Sequence, residues 1–258
     1  INNINPDQMI QDDIVTIMGI ANAKITNNHI DFKNVNRVFK LTAFRTTLDY
    51  DSFDNIAETI LIENNHIVGV NEIDNGKQMI DCFFAGTHLK LDHNYIDIKG
   101  HFCILQDKSK ASEAVDEYEY RNLHTITNNI IKYDNSILNI VEENRLSLVF
   151  KENYCLCRKP SAIGFRPIDI AYCRNVIIGN NIFESASNPG AYIEIRDMGN
   201  SQSAATCYIK NMVVENNVFD AANYIIEMAS SKNISIDYLN IGNNKRQLNT
   251  AILRTTQT

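Results

Sequence analysis

Glycine and proline are scarce, at 10 and 4 residues in a chain of 258. Gly-Pro turns are therefore not the device that bends this chain. No apolar run approaches 18 residues, so no stretch reads as a membrane-spanning helix. The opening INNINPDQMIQDD has neither a basic flank nor an apolar stretch and does not read as a signal peptide. With no initiator Met, it reads as a processed or excised piece. Positive charge is in deficit: 24 Lys and Arg against 31 Asp and Glu give −7. That balance argues against a nucleic-acid groove, which wants a basic stripe. Also absent are a Gly-rich phosphate loop, a His-Glu-x-x-His helix, a Gly-x-Ser-x-Gly elbow and the calcium-binding nonapeptide of β-rolls. The 44% apolar content is still enough for a core and too much for a disordered chain.

Two residue types are in excess, 35 Asn and 37 Ile. Asn is poor in helix interiors and in ordinary strands but tolerates the left-handed conformation of turns. Ile favours strands. Together they predict many short strands with Asn at the corners. A repeat carries both: AKITNNHIDF (23–32), ILIENNHIVG (60–69), LKLDHNYIDI (89–98), HTITNNIIKY (124–133), LVFKENYCLC (148–157), VIIGNNIFES (176–185), MVVENNVFDA (212–221) and LNIGNNKRQL (239–248). Its second corner residue is Asn28, Asn65, Asn94, Asn129, Asn153, Asn181, Asn217 and Asn244. The spacing varies while the corner stays constant. Each repeat therefore reads as one coil of a solenoid, with loops of variable length leaving other corners. Stacked coils put equivalent side chains in columns about 4.8 Å apart, and amides in such a column can hydrogen-bond to one another.

This pattern resembles the right-handed parallel β-helix proteins, a group that includes pectate-lyase-like enzymes and bacteriophage tailspikes. The resemblance runs from about Val15 to Asn244. It implies an all-β, single-stranded right-handed parallel β-helix of about eight coils with an Asn-rich corner ladder. The helix is expected over 1–248 and a C-terminal tail or cap over 249–258. A tailspike-like domain would bind and cleave, by hydrolysis, a bacterial capsular polysaccharide or lipopolysaccharide. It would act as a homotrimer on a phage tail made in the host cytoplasm, with no membrane insertion. A secreted bacterial lyase or epimerase and a non-catalytic receptor-binding fibre segment remain as alternatives. The basic motifs of calcium pectate lyases are missing, which argues against that activity.

A strand should precede each corner repeat, and aligning VFKL, MIDC, FCIL, ILNI, PIDI, YIEI and IIEM places Lys40, Asp81, Ile104, Asn139, Asp169, Glu194 and Glu227 in one column. Its neighbours are apolar, so the period-two rule turns this column to solvent. Within it, Asp169, Glu194 and Glu227 are the candidate catalytic acid and base. Carboxylates one coil apart raise each other's pKa, and paired carboxyls are what glycoside hydrolysis needs. The other reading of this column is a solvated polar face that keeps the sheet soluble. Arg196, Tyr172, Glu142, Asp107 and Asp81 border the same face as candidate sugar contacts. Tyr118, Tyr120 and Tyr50 add flat rings on the insertions Thr46–Glu58, Lys108–Asn122 and Asp197–Tyr208, which follow the first strand and would wall a groove.

His29, His66 and Tyr95 open a second column, after the Asn corner. It reads as stacked outward rings, because no carboxylate or Cys completes a metal set. The column continues as Ile130, Tyr154, Ile182 and Val218. Either it is an exposed apolar strip suited to another subunit or the register is off by one. Of six Cys, Cys82, Cys103, Cys155, Cys157 and Cys173 lie among apolar neighbours and Cys207 near a loop; they read as reduced core fillers. No cofactor and no metal site is expected.

Overall fold

The computed structural model describes residues 10–18, 22–42, 58–71, 78–83, 87–100, 103–108, 123–134, 136–141, 147–159, 166–170, 173–196, 207–220, 222–229, 234–246 and 251–256. The described residues form three parallel sheets and no helix. Successive strands pass from the first sheet to the second to the third and back, so each sheet pairs every third strand. The first sheet has nine strands and the other two have eight. This is the right-handed parallel β-helix that the repeat calls for. The segment Ala251–Thr256, expected from the sequence to be a tail or cap, pairs with Tyr224–Ala229 as the last strand of the first sheet.

The corner between the second and third sheets shows why Asn recurs in pairs. The first corner residue is left-handed in every coil, at Asn27, Asn64, His93, Asn128, Glu152, Asn180, Asn216 and Asn243, with φ between 52° and 58°. Asn adopts that conformation at little cost. The second residue turns inward and builds a ladder. Asn94 donates its backbone N–H (2.9 Å) and its Nδ2 (3.0 Å) to Oδ1 of Asn129. Asn129 does the same to Asn153, at 3.0 Å each. The pattern runs unbroken from Asn28 to Asn244. Each Nδ2 also reaches backbone carbonyls, as Asn129 does to Leu91 (2.9 Å) and Thr127 (2.7 Å). Asn65, Asn94, Asn129, Asn153, Asn181 and Asn217 are all buried, and the ladder supplies their amides with partners.

Inside the coils the core also stacks in columns. Ile30, Ile67, Ile96, Ile131, Cys155, Phe183 and Phe219 are consecutive partners in the third sheet and are all buried. Phe183 and Phe219 lie ring on ring at 5.1 Å. Cys155, Cys157 and Cys173 are free thiols within this core. Burial pushes the Cys155 thiol well above its ordinary pKa and the Cys157 thiol up to about 11, which makes both poor nucleophiles.

Candidate active site

The first sheet brings the acidic residues together through its register. Lys40, Asp81, Gln106, Asn139, Asp169, Glu194, Glu227 and Arg254 are successive partners. Gln106 stands where the sequence alignment placed Ile104. The reason lies at the bend into the strand, where two consecutive residues are buried: Val38 and Phe39, Met79 and Ile80, Ile104 and Leu105, Ile137 and Leu138. An apolar pair therefore does not fix the phase there. Asp107 pairs with Ile140, a core position, and so is off the acidic column. Asp81 is on it, five partners up from Glu227. Tyr172, Glu142, Tyr118, Tyr120, Tyr50 and nearly all of the three insertions lie outside the described residues.

The carboxylates are not in open solvent, which corrects the outward reading. Asp169 is 1% exposed and Glu227 6%, and the Glu194 side chain keeps 13%. Arginines cover them. Arg166 comes from just before the strand Ile168–Ile170 and crosses two rungs: its Nε lies 3.8 Å from Glu194 Oε2, and its Nη2 donates to Glu227 Oε2 at 2.7 Å. Its Nη1 donates to the Pro189 carbonyl at 2.7 Å. Gly190 makes room for this reach, because a Cβ there would sit 2.7 Å from Arg166 Nη1, and its φ of 81° suits glycine. Arg196 pairs with Asp169. Arg254 lies 3.5 Å from Glu227 Oε1 and 5.3 Å over the Tyr224 ring.

Burial sets the titration of this cluster. It carries Asp169 up to about 7, against the pull of Arg196, and the neighbouring Glu194 adds to the rise. Glu194 is raised too, chiefly by burial and then by Glu227, with Arg196 and Arg166 opposing. At neutral pH the site thus holds one carboxyl, Asp169, near its midpoint, and a guanidinium group beside each of its acids. That combination permits proton donation next to a paired anion. Sequence reasoning found Arg196 but missed Arg166 and Arg254. ILRT at 252–255 carries the same phase as IIEM at 225–228, so Arg254 was within reach; Arg166 acts across 61 residues, and no local pattern shows it.

The second column lies where expected. His29, His66 and Tyr95 are consecutive partners, with ring centroids 4.8 Å apart. Ile130, Ile182 and Val218 continue it and are 43%, 42% and 37% exposed, so the register was right and the strip is on the surface. Among the described residues, no group of three His, Cys, Asp or Glu is arranged to hold a metal ion. Comparison of the chain with family models, curated proteins and solved structures finds no match.

Proposed function

We propose that the protein binds a bacterial surface polysaccharide, capsular or lipopolysaccharide, along its first sheet and hydrolyses it, in the manner of a tailspike depolymerase. The supporting observation is the Glu194–Glu227 pair, one rung apart and spanned by Arg166. A rung of about 4.8 Å suits the close carboxyl spacing of a retaining glycosidase. Glu194, the most exposed of the three acids and raised in pKa, protonates the glycosidic oxygen as the bond to it breaks. Glu227 attacks the anomeric carbon, and water then releases the sugar with Glu194 taking its proton. Asp169 is too buried to touch substrate and serves as a positioning residue, through Arg196. Exposed Arg254 on Tyr224 offers a sugar contact at the rim. The exposed strip at Ile130, Ile182 and Val218 supports self-association, and with it a homotrimeric, virion-borne form.

A second reading, binding without cleavage, is favoured by one observation: Arg166 occupies the space between the two glutamates. Incubation with a panel of bacterial capsules and lipopolysaccharides separates these readings. New reducing ends without ultraviolet absorbance mark a hydrolase. Absorbance from unsaturated uronates marks a lyase and removes the roles of Glu194 as acid and Glu227 as nucleophile. Binding with no cleavage leaves a receptor-binding fibre segment.

A further inference from the structure

The corner of the first three coils carries a second set of hydrogen-bonding groups, away from the carboxylates. An open groove there runs between Asn27, Asn64 and His93 on one side and His29, His66 and Tyr95 on the other. Asn28 and Asn65, the first members of the amide ladder, complete its lining. Among the described residues no Lys, Arg, Asp or Glu lines it, and the nearest charges are Lys132, which donates to the Tyr95 hydroxyl at 3.0 Å, and Asp92, 3.2 Å from His93. The groove is also rigid. Asn27, Asn64 and His93 have left-handed backbones that the ladder holds in place, at φ 58°, 54° and 52°. The three rings pack in line at 4.8 Å spacing.

The histidines add a directional feature. Their Nδ1 atoms are 2.8 Å apart, so one ring donates and the other accepts. While both rings are neutral, the donating ring carries an acceptor at Nε2 and the accepting ring an N–H there. The pair therefore holds one donor and one acceptor, and the exposed amides of Asn27 and Asn64 supply both, while those of Asn28 and Asn65 are engaged in the ladder.

We propose that this groove binds a neutral, linear glycan lying along the helix axis. Three features point to that class. Sugar hydroxyls need donors and acceptors together, which amides and a tautomer-locked imidazole pair provide. Ring side chains give the apolar contact that a pyranose takes up. The same set recurs on consecutive rungs, about 4.8 Å apart, which fits a polymer of like units better than a compact ligand. The described lining offers no Lys or Arg to pair with a carboxylate, which selects against uronates. This site goes beyond the carboxylate face and stands whether or not that face cleaves.

The test uses the full chain and four probes: cellohexaose, maltohexaose, xylohexaose and a galacturonate hexamer. The readout is the imidazole NMR signals of His29 and His66 during titration. At least one neutral hexaose should shift both signals saturably. His66→Ala, an exposed position whose folding is checked by circular dichroism, should weaken that binding tenfold or more. The shifts should persist in the double variant Glu194→Gln/Glu227→Gln, which separates failure at this groove from failure of the carboxylate reading. The proposal is overturned by no shift with any neutral hexaose up to about 10 mM, weaker than specific sites generally bind. Unchanged binding in His66→Ala, or tighter binding of the galacturonate hexamer, also overturns it.

Discussion

Two polar columns run along this solenoid, and they solve burial differently. At the Asn corner each side chain is its neighbour's partner: an amide donates and accepts, so any number of identical residues can stack and stay satisfied. On the first sheet a carboxylate meets a carboxylate, and guanidinium groups lie over the column: Arg196 and Arg254 from strands of the sheet itself and Arg166 from just before one. The first column needs nothing but repetition. The second needs cations set over its acids, and burial raises Asp169 and Glu194 within it.

The contrast can be broken from either side. The largest expected effect is at the amide ladder. Asn129→Ala removes the acceptor of Asn94 and the donor to Leu91, both in the interior, and to the partly buried Thr127. Each buried group left unpaired costs about 1–3 kcal/mol, and several are left so at once, so the loss should exceed about 4 kcal/mol in a urea titration.

Next is the titration of the acidic column. Asp169 sits at about 7 in the folded protein and near the ordinary carboxyl value when unfolded. A carboxyl raised on folding contributes stability that is full below about pH 4 and is lost as pH climbs to about 7, by up to about 4 kcal/mol. Asp92, beside the Asn corner, goes the other way: burial alone would raise it, but hydrogen bonds from Thr127, Asn128 and His93 hold it at about 2. Its contribution is present above about pH 4 and lost as pH falls through about 2. Stability measured by denaturant from pH 2 to 8 should therefore rise and then fall, and Asp169→Asn should flatten the upper slope while leaving the lower one.

Arg166→Ala is the next step down. It uncovers Glu194 and Glu227 together, and about 2–3 kcal/mol should be lost near neutral pH. The loss should shrink at pH 4, where Glu194, raised by burial, takes up a proton, and an equal loss at both pH values would show that Arg166 acts by packing alone. The smallest effect belongs to the corner. Glu152 is left-handed where six other coils have Asn, so Glu152→Asn should add about 0.5–1 kcal/mol to stability, visible as a raised Tm.

The two columns were also unequally legible in the sequence. The amide ladder could be read outright, because every coil repeats the same residue at the same place and the chemistry is local to it. The stacking of His29, His66 and Tyr95 followed from the same register. The acidic column was read with one coil out of phase, at Ile104 against Gln106, since the period-two rule fails at a bend where both Ile104 and Leu105 are buried. Its burial was not readable at all: exposure depends on Arg166 and Gly190, whose reach is a property of the folded coil and not of a motif. Alternation alone says which face of a strand a residue takes, and nothing about what lies over that face.

The most direct test of the central claim uses whichever glycan the polysaccharide panel selects. Cleavage rate and binding are measured for the native protein, Glu194→Gln and Glu227→Gln. A reacting carboxylate pair predicts that each variant loses cleavage by a hundredfold or more while glycan binding holds. Cleavage that persists undiminished in both variants would contradict the account and return the acidic column to a structural role.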